Sequence, residues 1–128
     1  MTEVTWLLLA VVLGMLHLGV AAQMAQKYRT PDWGFGPRDE PMPPQGTAAR
    51  IDRAYKNFME TFPLFAAAMI AVILQSKMGG LSWWGGLIYV VARVLYIPLY
   101  AFGVKYVRTL AWFVGTIGII LILIAAFR

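Results

Sequence analysis

The chain has 128 residues, of which 60% are hydrophobic and 13% are charged, and its formal net charge is +5 at pH 7. A soluble domain carries about 25% charged residues, so this composition excludes an ordinary water-soluble protein and favours one that lies in a lipid bilayer. The absence of cysteine excludes disulfides, thiolate metal sites and a cysteine nucleophile.

Four apolar segments are each long enough to cross about 30 Å of hydrocarbon. They cover residues 4–25, 48–75, 81–102 and 107–127, and one Pro/Gly-rich loop covers residues 28–47. The two later connections are short, which favours antiparallel neighbours. We therefore predict an all-α fold, a single integral membrane domain over residues 1–128 that forms a four-helix up-down bundle.

The first segment carries the lone histidine of the chain, His17, near its middle. No second histidine or carboxylate lies near it in sequence, so we expect an interhelical hydrogen bond and not a bound ligand. The residues before this segment include Glu3 and no lysine or arginine. A cleaved signal peptide begins with positive charge, so we predict a retained membrane span.

The basic residues concentrate around the first and third loops and lie at the ends of the spans. This distribution argues against nucleic-acid binding, because it forms no continuous basic face. By the positive-inside rule, both loops face the cytoplasm and both termini lie on the opposite side. The first loop contains Trp33, Phe35 and Met42, so we expect it to fold over the cytoplasmic mouth of the bundle.

The second span begins with a polar stripe in the stretch RIDRAYKNFMETFPLF, residues 50–65. At about 100° per residue, with Arg50 at 0°, Arg53 falls at about −60°, Asn57 at about −20° and Glu60 at about −80°. The four polar side chains therefore share one face of the predicted helix.

The third span carries Arg93, Tyr96 and Tyr100 at positions i, i+3 and i+7, which also share one face. An unpaired arginine near mid-membrane costs roughly 2.5–3.5 kcal/mol, so Arg93 must face inward. One interpretation is a buried ion pair between Arg93 and Glu60 that only stabilises the bundle. That pair does not account for the other polar residues.

Arg108 opens the fourth span, and its role stays open between an interfacial anchor and a functional cation. Together the polar residues favour a small zwitterionic ligand that bears carboxylates, because arginine binds carboxylates in a bidentate manner. Glutathione has such groups, although the residues alone indicate only the ligand class. No metal ion is required.

The motifs RxxRAxxNxxExxPLF at residues 50–65 and RxxYxxxY at residues 93–100 resemble the MAPEG family, the membrane-associated proteins in eicosanoid and glutathione metabolism. GPRDEP in the first loop and RTLAWFVG in the fourth span are similar to its bacterial members, which implies a multi-pass protein of the bacterial inner membrane. The resemblance implies a homotrimer that binds glutathione between subunits and transfers it to lipophilic electrophiles, or reduces peroxides with it. It implies that glutathione is held by Arg53, Asn57, Glu60, Arg93, Tyr96 and Tyr100, and that Arg108 stabilises the thiolate.

Some assignments stay open. Either Arg29 or Arg38 matches a further arginine that assists catalysis in some family members, and Thr61 replaces a tyrosine found in others. Two other functions compete with the transferase: a four-span transporter that uses Glu60, and a non-catalytic binding or scaffold protein with the same fold.

Overall fold

The computed structural model describes residues 1–128 and contains helices but no strand, which confirms the predicted all-α fold. A short 3-10 turn, Gln26–Tyr28, follows the first helix. Every α-helix except the second is long and apolar enough to cross a membrane, as in a multi-pass membrane protein. The helices are α1 (Glu3–Ala25), α2 (Pro31–Phe35), α3 (Gly46–Leu74), α4 (Gly80–Ala101) and α5 (Lys105–Phe127).

The four long helices run alternately up and down, so the bundle has two chemically different ends. At the end we call the closed end, Glu3 at the start of α1 meets Gly79 and Ser82 at the start of α4. Lys77, which follows α3, donates to the carbonyl oxygen of Ala126 near the end of α5. At the opposite end, which we call the cavity end, α3 and α5 begin and α4 ends.

Glycine lets α4 and α5 approach closely in the half of the bundle near the closed end. A Cβ atom on Gly85 would lie 2.7 Å from the carbonyl oxygen of Gly118, and one on Gly118 would lie 2.9 Å from the backbone nitrogen of Tyr89. On the neighbouring face of α4, a Cβ atom on Gly86 would lie 2.9 Å from the Trp6 side chain of α1. Small residues at such crossings are typical of membrane helices, where close backbone packing stabilises the bundle.

His17 is buried but forms no hydrogen bond, so the predicted interhelical hydrogen bond is wrong. Its ring stacks on Phe58 of α3 at a centroid distance of 5.2 Å. The two helices are close here, because a Cβ atom on Gly14 of α1 would lie 3.0 Å from the Phe58 ring. The Phe58 ring covers one face of the imidazole, and neither ring nitrogen of His17 has a hydrogen-bond partner.

The first loop packs on itself and does not fold over the mouth of the bundle, contrary to the expectation from sequence. Thr30 caps α2 by accepting a hydrogen bond from the Trp33 backbone nitrogen at 3.2 Å. The guanidinium groups of Arg29 and Arg38 lie 4.9 and 5.2 Å from the centre of the Trp33 ring. The side chain of Phe35 is 96% exposed. These contacts all lie within the first loop itself.

Candidate functional site

A cavity of about 510 Å³ opens between α3, α4 and α5 at the cavity end of the bundle. Its volume lies in the range of about 300–1,000 Å³ that is usual for small-molecule sites. Every site residue predicted from the sequence lines it, with the exception of Arg93. The lining residues are Arg53, Lys56, Asn57, Glu60, Tyr96, Tyr100, Arg108, Thr109 and Trp112.

Helix α3 supplies one wall of the cavity with side chains from three successive turns. Arg53, Asn57 and Glu60 lie on the face that the helical spacing predicts. Glu60 lies about 4.5 Å further along the helix axis than Asn57, given a rise of 1.5 Å per residue. Its carboxylate is exposed and forms no hydrogen bond or ion pair, whereas Lys56 pairs with Asp52 at 2.9 Å.

Tyr100 of α4 contacts two arginines that come from different helices. Its hydroxyl accepts a hydrogen bond from Nε of Arg53 at 3.2 Å. The guanidinium of Arg108, on α5, lies 4.6 Å from the centre of the same ring. The negative face of an aromatic ring attracts a cation, so Tyr100 brings both positive charges to the rim of the cavity. Tyr96 lies deeper, with its ring centre 5.5 Å from that of Tyr100.

Arg93 is buried behind the cavity wall, with 1% of its surface exposed. Its Nη1 donates to Oδ1 of Asn57 at 2.8 Å, and its guanidinium lies 4.3 Å from the centre of the Tyr96 ring. It does not pair with Glu60, since the one ion pair in the structure joins Lys56 to Asp52. The interpretation of Arg93 and Glu60 as a purely structural ion pair is therefore wrong.

Three cavity residues were not predicted from the sequence: Lys56, Thr109 and Trp112. Lys56 lies four residues before Glu60 and Trp112 lies four residues after Arg108, so each shares a helix face with a predicted residue. Extending the helical spacing by one turn would have found both. Thr109, which donates to the carbonyl oxygen of Lys105, has no comparable signal in the sequence.

The two candidate arginines of the first loop lie outside this cavity. Arg29 donates to the carbonyl oxygen of Met42 and Arg38 donates to that of Gly34. Neither arginine is among the residues that line the cavity. Both arginines therefore form their hydrogen bonds within the first loop.

The cavity combines three cations, one carboxylate, one amide, two phenols and an indole. Arginine and lysine bind carboxylates, and the carboxylate of Glu60 is free to accept from an ammonium group. A thiol has a pKa of about 8.5, which a neighbouring guanidinium lowers by stabilising the thiolate. This set of groups can therefore bind a small zwitterion with several carboxylates and can activate a thiol that it carries.

One family of known proteins matches almost the whole chain. No curated protein matches the chain. The model of the MAPEG family matches residues 4–128, which include every residue of the cavity and all four long helices apart from Glu3 at the start of α1. A family match of this extent assigns the whole fold, and the chain belongs to the MAPEG family.

Proposed function

We propose that this protein is a glutathione-dependent membrane transferase or peroxidase, which binds glutathione in the cavity and activates its thiol for attack on lipophilic electrophiles. One observation carries the proposal: six residues predicted from three separate helices line one cavity in a chain of the MAPEG family. The cavity is also large enough for a small peptide.

The charges of the cavity complement the groups of glutathione. The ligand has two carboxylates, one ammonium group, two peptide bonds and a thiol. Arg53 and Lys56 would hold carboxylates, while Glu60 would accept from the ammonium group. Asn57 and the two tyrosines would bind the peptide groups, because amides and phenols form hydrogen bonds with them.

Arg108 is the residue that we assign to the thiol. Its guanidinium would stabilise the thiolate, so the thiol proton would leave to water. The sulfur lone pair would then attack the electrophilic carbon, the new S–C bond would form, and the leaving group would depart with its bonding electrons. Trp112 lies one helical turn further into the membrane, where it would contact the apolar part of the electrophile.

The same proposal includes a homotrimer in the bacterial inner membrane, with the cavity end towards the cytoplasm. Arg53, Lys56 and Glu60 are exposed on the surface of a single subunit. Charged groups that face hydrocarbon are costly, so a second copy that covers the cavity would remove this cost. The basic residues near the first and third loops favour the cytoplasmic orientation.

Calorimetric titration of the detergent-purified protein with glutathione, combined with a conjugation assay on an aryl halide, tests the function. We expect saturable binding and turnover that depends on the thiol, with a thiol-free glutathione analogue as the control that binds without reacting. Absence of binding would contradict the proposal. Binding without turnover would favour a non-catalytic binding protein, and proton-coupled uptake that is lost in Glu60→Gln would favour the transporter.

A further inference from the structure

We propose that Arg93 is a positioning residue that fixes the orientation of the Asn57 amide, so that Asn57 presents N–H donors to the ligand. Arg93 then acts through Asn57 and does not touch the ligand itself. The inference rests on the proposed function only for the identity of that ligand. It concerns the one predicted site residue that does not line the cavity.

The orientation of the Asn57 amide follows from the chemistry of its partner. A guanidinium group has only donors, so the Asn57 atom that lies 2.8 Å from Nη1 of Arg93 must be the carbonyl oxygen. The reversed amide would place two donors against each other. With Oδ1 held by Arg93, the amide nitrogen and its two hydrogens remain for the cavity that Asn57 lines.

The surroundings of Arg93 allow it to act as a fixed donor. Its guanidinium packs against aromatic rings from two helices, 4.3 Å from the centre of Tyr96 and 5.6 Å from the centre of Phe58. Asn57 Oδ1 is its one hydrogen-bond acceptor, since Nε and Nη2 of Arg93 have no partner within the protein. A buried charge with one acceptor holds that acceptor strongly.

This orientation restricts what the cavity can bind. Asn57, Arg53, Lys56 and Arg108 would all act as donors, so this wall recognises acceptor atoms such as carboxylate or peptide carbonyl oxygens. An asparagine that was free to turn would recognise donors and acceptors equally. Arg93 therefore makes the Asn57 side chain selective for acceptor atoms of the ligand.

The first test exchanges the Asn57 amide for a carboxylate of the same shape. In Asn57→Asp, one oxygen still accepts from Arg93 and the protein stays folded, but the cavity now meets a second oxygen instead of a donor. We expect the dissociation constant for glutathione to rise about tenfold or more, since a donor is replaced by a repelling charge. Affinity within twofold of the wild type would overturn the proposal.

The second test is a double-mutant cycle with Arg93→Met and Asn57→Ala. Methionine keeps a long unbranched side chain and removes the donors. If Arg93 acts only through Asn57, the double variant binds glutathione about as weakly as Asn57→Ala alone, because the effects are not additive. We also expect KM for glutathione to rise about tenfold in Arg93→Met with little change in kcat, since an interaction made equally in the ground and transition states is lost.

The same double-mutant cycle, measured as thermal unfolding without any ligand, tests the positioning role of Arg93 separately from the proposed function. Coupling between Arg93 and Asn57 in the ligand-free protein supports the hydrogen bond whatever the ligand is, and additive effects there contradict it. Additive effects on glutathione affinity would show that Arg93 contacts the ligand directly, which would overturn the positioning role. If the wild type binds no glutathione but the ligand-free coupling is present, only the proposed function fails.

Discussion

The two ends of the bundle use the same kinds of side chain in different ways. At the closed end, the carboxylate of Glu3 accepts from the Gly79 backbone nitrogen at 3.0 Å and from the Ser82 hydroxyl at 2.9 Å. It is buried, with 6% of its surface exposed. At the cavity end, the carboxylate of Glu60 is exposed and has no partner in the protein.

The difference separates a structural carboxylate from one that is available to a ligand. Burying a charge is unfavourable unless hydrogen bonds compensate for the lost water, and Glu3 has that compensation from the start of α4, where a helix N-terminus favours negative charge. Glu60 has no such compensation and lies among cations that line a cavity. The residue type is the same at both ends, so the surroundings decide the role.

The largest expected effect comes from Arg108→Ala at the cavity end. Removing one group that stabilises developing negative charge costs on the order of 100- to 1,000-fold in kcat, whereas we expect glutathione affinity to stay within about tenfold because several other residues hold the ligand. The ultraviolet absorbance of the bound thiolate reports the loss directly. Lys105→Ala is the matched control, because it removes a positive charge from the same helix outside the cavity. Unchanged thiolate absorbance in Arg108→Ala would show that Arg108 does not activate the thiol.

A second prediction concerns the glycine contact between α4 and α5. In Gly118→Ala, the new Cβ would lie 2.7 Å from the Gly85 carbonyl oxygen, so the helices must move apart. Overpacking of this kind costs about 1–3 kcal/mol of stability, which thermal unfolding in detergent measures. Gly115→Ala is the control, because its Cβ would lie 3.5 Å from the Cβ of Ala92 in ordinary contact. Equal unfolding temperatures for the two variants would contradict the close approach.

The four-helix architecture could be predicted from the sequence because hydrophobic length is a local property of each span. The polar face of α3 could also be predicted from the sequence, since helical spacing alone places Arg53, Asn57 and Glu60 together. The partner of Arg93 could not be deduced in this way. It depends on the rotation of α4 against α3, and that rotation brings Asn57, and not Glu60, opposite the guanidinium.

The two wrong predictions, the hydrogen bond of His17 and the placement of the first loop, have similar causes. The hydrogen bond expected for His17 does not form, because the neighbouring helix places Phe58 on its ring and no polar partner at its nitrogens, and a single-helix pattern contains no information on that neighbour. The first loop contains apolar residues that suggested burial, yet Trp33 is satisfied locally by Arg29 and Arg38. Composition predicts that a side chain needs a partner, but it does not predict which partner lies within reach.

Exchanging each of the two glutamates for glutamine tests the comparison of the two ends directly. Glu3→Gln should lower stability by about 1–3 kcal/mol, because hydrogen bonds to a buried charge become weaker, and should leave glutathione affinity unchanged. Glu60→Gln should raise the dissociation constant for glutathione about tenfold, since an ionic contact with the ammonium group is lost, and should leave the unfolding temperature unchanged. Calorimetry and thermal unfolding on both variants check this crossed pattern. The same response from both variants would mean that the two carboxylates have the same role.

The smallest expected effect comes from removing the hydroxyl group of one of two tyrosines of α4, Tyr100 at the cavity or Tyr89 in the core. Tyr100→Phe keeps the ring beneath Arg108 but removes the hydroxyl that accepts from Arg53. One such hydrogen bond contributes about 0.5–1.5 kcal/mol, so glutathione affinity should fall by about twofold to tenfold while the thiolate absorbance of the saturated protein stays unchanged. Tyr89→Phe removes a hydroxyl that lies 3.0 Å from Thr61 in the core, and it should lower stability by a similar amount without weakening binding. A loss of stability in Tyr100→Phe as large as in Tyr89→Phe would show that the bond between Arg53 and Tyr100 stabilises the bundle. In that case the polar groups of the cavity end would serve the fold in the same way as those of the closed end.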